Sequence, residues 1–321
     1  GMDADRDGRL RLAHQLLLND GAGHFAHKAN SGLEGVLGTP HVVAAALFGD
    51  YDADGRLDLF LGNGSAFVLM SDQLFLGHGD GTFEDASDRL LGGSSIRRAS
   101  NGAVACDYDN DNDLDIFVSV YGAAREYGYA HNVLWENDGH GIFGNVARER
   151  GFEALATGNY RLYSTGRGRD PEPVPQEYWM GGNGFGLQCE DVNNDGLMDI
   201  WLANISHPVA SDYNRKWSDP SQLLLNEGRA AGYHFRNIYL DAEIPFNEGD
   251  LAAAMADFDN DGRMDLSMSR ESKYELQYTD PELKAWFGLF HQREGLVFES
   301  VGLTSGINDP GDPARPEHQR A

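Results

Sequence analysis

Five short segments of this chain set carboxylates on alternate residues of what reads as a tight loop. They begin at Asp3, Asp50, Asp107, Asp191 and Asp257 and share the pattern Asp-x-Asp-x-Asp-Gly-x-x-Asp. Side chains at positions 1, 3 and 5 with a glycine at 6, free to take a positive φ, converge oxygen atoms on one point, and position 9 adds another. Hard oxygens in that number suit Ca²⁺. Zinc would ask for Cys or His, which the loops lack, and Mg²⁺ keeps more of its water. The candidate ligands are Asp3, Asp5 and Asp7; Asp50, Asp52, Asp54 and Asp58; and Asp107, Asp109, Asp111 and Asp115. They continue with Asp191, Asn193, Asp195 and Asp199, then Asp257, Asp259, Asp261 and Asp265. Position 7 would offer its main-chain carbonyl, at Arg56, Asp113, Leu197 and Arg263. Two departures matter. Asn112 replaces the glycine in the third copy, which asparagine tolerates in the left-handed region, and Arg11 stands where the ninth carboxylate of the first copy belongs. The first copy should bind weakest. An EF-hand would need a bidentate Glu at position 12, where Leu61, Val118, Leu202 and Met268 stand instead. Four to five structural Ca²⁺ sites are expected.

The flanks say what positions these loops. A run of small apolar residues precedes the later copies, as in Gly102-Ala-Val-Ala-Cys106, and a β-type run follows, as in Leu114-Asp-Ile-Phe-Val118. Further on, each unit carries a second apolar run, a glycine turn and a phenylalanine, as in Gln73-Leu-Phe-Leu-Gly-His-Gly-Asp-Gly-Thr-Phe83. Each unit is therefore a small antiparallel meander that cannot bury its faces alone. Radial stacking is the economical solution, so the expected fold is all-β: a β-propeller of four-stranded antiparallel blades, five repeats visible and five to seven blades in all. The propeller should occupy 1–307, with an insertion at about 150–183, and a proline-rich tail should follow at 308–321.

The chain has 321 residues, with 51 Asp+Glu against 25 Lys+Arg, for a net charge of −26. That field argues against nucleic-acid partners. The 19 Asp of the five loops account for most of the acidity, since without them 32 acids stand against the chain's 25 bases. No apolar run reaches the 18 or so residues of a membrane helix, so no membrane insertion is expected. Cys106 and Cys189 read as two small buried core residues, with a disulfide between them left open. Calcium loops suit extracellular or periplasmic fluid, whereas a native start at Met2 would keep the chain cytoplasmic.

The segments Leu47-Phe-Gly-Asp-Tyr-Asp-Ala-Asp-Gly-Arg-Leu-Asp-Leu-Phe-Leu-Gly-Asn-Gly64 and Phe185-Gly-Leu-Gln-Cys-Glu-Asp-Val-Asn-Asn-Asp-Gly-Leu-Met-Asp-Ile200 resemble the FG-GAP repeat. The downstream half, Leu74-Phe-Leu-Gly-His-Gly-Asp-Gly-Thr-Phe-Glu-Asp-Ala86, resembles the related VCBS repeat of bacterial surface and secreted proteins. The resemblance implies a propeller like that of integrin α subunits, with Ca²⁺ in blade loops and adhesion, or carbohydrate or protein binding, through surface loops. Family propellers usually have seven blades. Five motifs leave closure to motif-free blades in the spacers, an absent N-terminal strand upstream, or a second chain in an oligomer.

Arginine and aromatic residues on long loops of a rigid scaffold are the materials for holding a carbohydrate or protein ligand. The spacer between the third and fourth copies supplies Arg161, Tyr163, Arg167, Arg169, Tyr178 and Trp179, and a second excursion adds His207. The expected function is a calcium-stabilised binding module. The alternative is an enzyme, of lyase or biosynthetic cyclase type, with its site at the propeller mouth; no catalytic constellation is legible.

Overall fold

The computed structural model of the chain describes residues 2–4, 10–12, 15–37, 42–64, 68–93, 96–121, 131–153, 183–204, 221–244, 250–270 and 287–307. The small-residue run ahead of each later Asp loop becomes a seven-residue strand: β5 (Val43–Gly49), β9 (Ser100–Cys106), β13 (Gly184–Glu190) and β17 (Asp250–Ala256). The run after the loop becomes β6 (Asp58–Asn63), β10 (Asp115–Val120), β14 (Asp199–Asn204) and β18 (Asp265–Arg270). Third strands follow as β7 (Gln73–Gly77), β11 (Val133–Asn137), β15 (Gln222–Asn226) and β19 (Phe287–Arg293). The blades end on β8 (Phe83–Asp85), β12 (Phe143–Asn145), β16 (Phe235–Asn237) and β20 (Val297–Ser300). Each set of four pairs in chain order as an antiparallel sheet, so the expected meander is found in four units.

The first unit differs. Among the described residues, β1 (Met2–Ala4) pairs only with β2 (Leu10–Leu12), and β3 (Leu17–Asn19) only with β4 (Phe25–His27). Asp3 lies opposite Arg11 and Ala4 opposite Leu10, so pairing here runs into the Asp loop; in the third copy the ladder stops before the loop, with Cys106 opposite Asp115. The described part of this unit is two hairpins, followed by a short helix α1 (Glu34–Leu37).

Blades stack face to face, and the second strands show it by period-two alternation. Leu59 and Leu61 pack toward the β3–β4 side, while Phe60 between them packs with Ile116 and Val118 of the next blade. Phe117 then points onward to Ile200 and Leu224, and Trp201 onward again to Leu266 and Met268. A strand covered on both faces reads as a continuous apolar run, and β6, β10 and β14 are buried throughout. The first strands β5, β9, β13 and β17 touch one another in that order and form the inner wall. Their small residues are a packing requirement: a Cβ on Gly102 would meet the Phe185 carbonyl oxygen at 2.2 Å, and one on Gly186 the Leu251 carbonyl oxygen at 2.7 Å.

Cys106 and Cys189 form a disulfide between β9 and β13. The reading as two separate core residues is therefore corrected, and the pairing has a simple geometric cause. Cys106 lies opposite Asp115, but in the next blade it is Glu190 that lies opposite Asp199, which puts Cys189 one residue back along its strand. One step turns a side chain to the other face, and adjacent blades present opposite faces to each other. No helix among the described residues is long and apolar enough to cross a membrane.

Candidate metal centres

Each of the four described Asp loops has a left-handed kink at two places. Position 6 has φ between 74° and 86° at Gly55, Asn112, Gly196 and Gly262, as the sequence led us to expect. Position 4 is also left-handed, at Ala53, Asn110, Asn194 and Asn260. These kinks turn main-chain N–H groups inward, and the position 1 carboxylate accepts two of them. Asp50 takes the N–H groups of Asp54 and Gly55, Asp107 those of Asp111 and Asn112, Asp191 those of Asp195 and Gly196, and Asp257 those of Asp261 and Gly262. The position 5 carboxylate accepts the position 7 N–H in all four loops.

The position 9 carboxylate does a different job. Asp58, Asp115, Asp199 and Asp265 are buried at the start of the second strand. Each accepts the N–H of a third-strand residue, from Gly77, Asn137, Asn226 and Gln292, at 2.8–2.9 Å. Three also accept the position 2 N–H, from Tyr51, Val192 and Phe258. The ninth Asp thus ties loop to blade while offering its carboxylate to the loop centre. Sequence reading expected this Asp as a ligand and missed its third-strand partner, which lies 19 to 27 residues away in the chain.

Between these anchors the acidic groups converge. Oxygens of Asp50, Asp52 and Asp58 lie within 4.8 Å of one another, as do those of Asp107, Asp109 and Asp115, and those of Asp257, Asp259 and Asp261. Asp52 Oδ1, Asp109 Oδ1, Asp113 Oδ1 and Asp115 Oδ2 are buried without a hydrogen-bond partner. Burial first, and neighbouring carboxylates second, raise Asp109 to about 6, Asp113 to about 7 and Asp115 to about 9. Burial likewise raises Asp199 to about 7. Carboxylates held together, unpaired and hard to ionise are what a divalent cation would relieve, and an all-oxygen donor set fits Ca²⁺. In the fourth loop Asn193 puts an amide at position 3, where it hydrogen-bonds Asp195. In the second and fifth, the position 7 side chains Arg56 and Arg263 pair with Asp54 and Asp261. The third loop has five acids and no such arginine, so it carries the most uncompensated charge.

The last loop holds a residue the sequence did not point to. His291, on β19, lies with Nδ1 3.0 Å from Asp259 Oδ2 and 3.6 Å from Asp265 Oδ1. The only available signal was its place one residue before the third-strand tie, where the other blades carry Leu76, Glu136 and Leu225. Asp5 and Asp7 lie outside the described residues, as do Arg161, Tyr163, Arg167, Arg169, Tyr178, Trp179 and His207, and of Asp3 the structure describes only the backbone pairing.

Residues 50–118 and 191–267 match the family model of the FG-GAP-like repeat. No curated protein matches the chain. Among solved structures, the chain is similar to an Agrocybe aegerita lectin described as specifically recognising non-reducing terminal N-acetylglucosamine. Identity is 16%, the TM-score is 0.45, and the similarity covers 90% of this chain and 60% of the lectin. The chain thus spans less than two thirds of that protein's length.

Proposed function

This chain carries FG-GAP-like repeats, and from that premise we propose that it is a calcium-stabilised β-propeller binding module. The observation that carries the reading is the set of buried, unpaired carboxylate oxygens in loops whose backbone is already arranged around a common centre. Asp50, Asp52, Asp54 and Asp58 would hold one ion, Asp107, Asp109, Asp111 and Asp115 a second, and Asp191, Asn193, Asp195 and Asp199 a third. Asp257, Asp259, Asp261 and Asp265 make a fourth set, and the loop of Asp3, Asp5 and Asp7 the weakest. A bound cation would supply charge neutralisation and lock the rim. The protein's part is to pre-shape the loop with positive-φ residues and to anchor it on the third strand.

The ligand would be a carbohydrate or a protein, held by the long loops bearing Arg161, Tyr163, Arg167, Arg169, Tyr178, Trp179 and His207. A rigid stack of blades presenting such loops is the usual division of labour between scaffold and recognition. The inter-blade disulfide supports an oxidising compartment, extracellular or periplasmic, and adhesion outside the cell as the setting. The test is calorimetric unfolding with Ca²⁺, Mg²⁺ or chelator, joined to a glycan-array screen of the calcium-loaded chain and its Trp179→Ala variant. Each ion present at about 100 times its Kd should add roughly 2.7 kcal/mol. A large Ca²⁺-specific rise in Tm, with array binding lost in the variant, is the expected result. No shift, or the same shift with Mg²⁺, would overturn the calcium reading.

A further inference from the structure

The last Asp loop is chemically unlike the other three described loops. The residue before the third-strand tie is Leu76, Glu136 or Leu225 in the other blades, and here it is an imidazole beside the loop. His291 is 8% exposed, and its ring packs edge-on to Phe258, the loop's own position 2, at 6.4 Å between centroids. Its Nε2 is buried and has no hydrogen-bond partner, at 3.5 Å from Asp261 Oδ2. Its Nδ1, Asp259 and Asp265 bring three ligand atoms within 4.8 Å of one another.

We propose that His291, Asp259 and Asp265 form a site for a borderline divalent cation, zinc being the type case, in place of the calcium taken by the other loops. The proposal deepens, and rests on, the reading of these loops as metal sites. Three observations argue for it. An imidazole nitrogen suits zinc, whereas Ca²⁺ takes six to eight oxygens and has no use for a ring that enters its shell. The Nδ1 to oxygen separations of 3.0 and 3.6 Å bracket the edge of about 3.3 Å that tetrahedral geometry gives for zinc-length bonds. Asp261, already paired with Arg263, is placed to receive the second ring N–H, the orienting contact usual for a metal-bound histidine. A fourth position would be open to water or to Asp257.

The test uses the full chain, stripped by chelator and dialysed against zinc chloride with calcium chloride in large excess, with both metals quantified. One zinc per chain is expected to persist against calcium. His291→Gln should weaken zinc binding on the order of tenfold or more, while its calcium-dependent rise in Tm, carried by the other loops, stays as in the wild type. Cobalt(II) in place of zinc should give the intense visible absorption of a tetrahedral site, lost in His291→Gln. Zinc binding unchanged by that substitution, or no zinc bound by the wild type, overturns the proposal. Calcium uptake without zinc removes this inference and leaves the calcium reading standing; zinc uptake without any calcium response does the reverse.

Discussion

Position 4 of the Asp loops shows how much a single side chain decides. Its φ is 58–61° in all four described loops, a region that costs an ordinary residue about 1–2 kcal/mol and that asparagine enters readily. Asn110 and Asn194 use the conformation twice over. Their amides donate across the blade boundary to the carbonyls of Gly196 and Gly262, at 3.1 and 2.8 Å. Ala53 has the same backbone and no amide. By the repeat geometry, Ala53→Asn would reach the Asn112 carbonyl, so it should stabilise the protein by about 1 kcal/mol. A fall in the urea midpoint of this variant would show that the loops are not equivalent. The acidic groups make a second prediction at this scale. Asp109, Asp113, Asp115 and Asp199 have folded pKa values above the roughly 3.9 of an unfolded Asp, so between those values the folded state binds more protons than the unfolded. Metal-free protein should therefore be most stable below about pH 4 as far as these groups are concerned, and should lose that stability as pH rises toward about 9. Urea melts in chelator across that range, repeated with calcium, give the check. The slope should be negative without the ion and flattened with it.

Among the elements, the third strand is the joint between blades. Asn137, Asn226 and Gln292 each donate a main-chain N–H to the buried Asp of their own loop. Their side-chain amides reach the position 2 carbonyls of the preceding blade's loop, Tyr51, Tyr108 and Val192, at 2.8–2.9 Å. The same position 2 residues bury their side chains against the next blade, with Tyr51 edge-on to Phe143 and Tyr108 packed on Phe235. One element therefore couples loop conformation to blade stacking. Replacing Asn226 by Ala strands the buried carbonyls of Tyr108 and Met198 and should cost about 1–3 kcal/mol. It should also weaken calcium binding in the loops on both sides of that boundary. Unfolding of Asn226→Ala with and without calcium reads both effects, and a loss confined to stability would separate stacking from the loops.

At the scale of the whole molecule, the first and last described blades carry exposed aromatic side chains. At the far end, Phe258 at position 2 of the last loop is 43% exposed, where Tyr51 and Tyr108 are buried by the following blade. At the near end, Phe25 and Phe48 are exposed around a cavity lined by Leu16, Leu17, Leu33 and Val36. Within the stack, the Cys106–Cys189 disulfide clamps two blades across 83 residues of chain. Its removal by the double Cys→Ala change should cost about 2–4 kcal/mol, and unfolding of the oxidised and substituted proteins under identical calcium measures it. Equal stability would mean that the amide and aromatic contacts alone hold that boundary.

The sequence alone determined the strand order of each blade, the position of each turn and the carboxylates of each loop. Those features are local: alternation, glycine placement and Asp spacing act within about twenty residues, and repetition made them legible. Even the left-handed Asn112 followed from residue type. What only the tertiary structure decided lies between blades. The Cys106–Cys189 pairing, the Asn226 amide on Tyr108 and the imidazole of His291 against Asp259 join residues 32 to 118 positions apart, and no spacing rule encodes them. They arise because stacking sheets turns opposite faces of successive strands toward each other. A one-residue offset, or one histidine before a buried tie, then changes which groups meet.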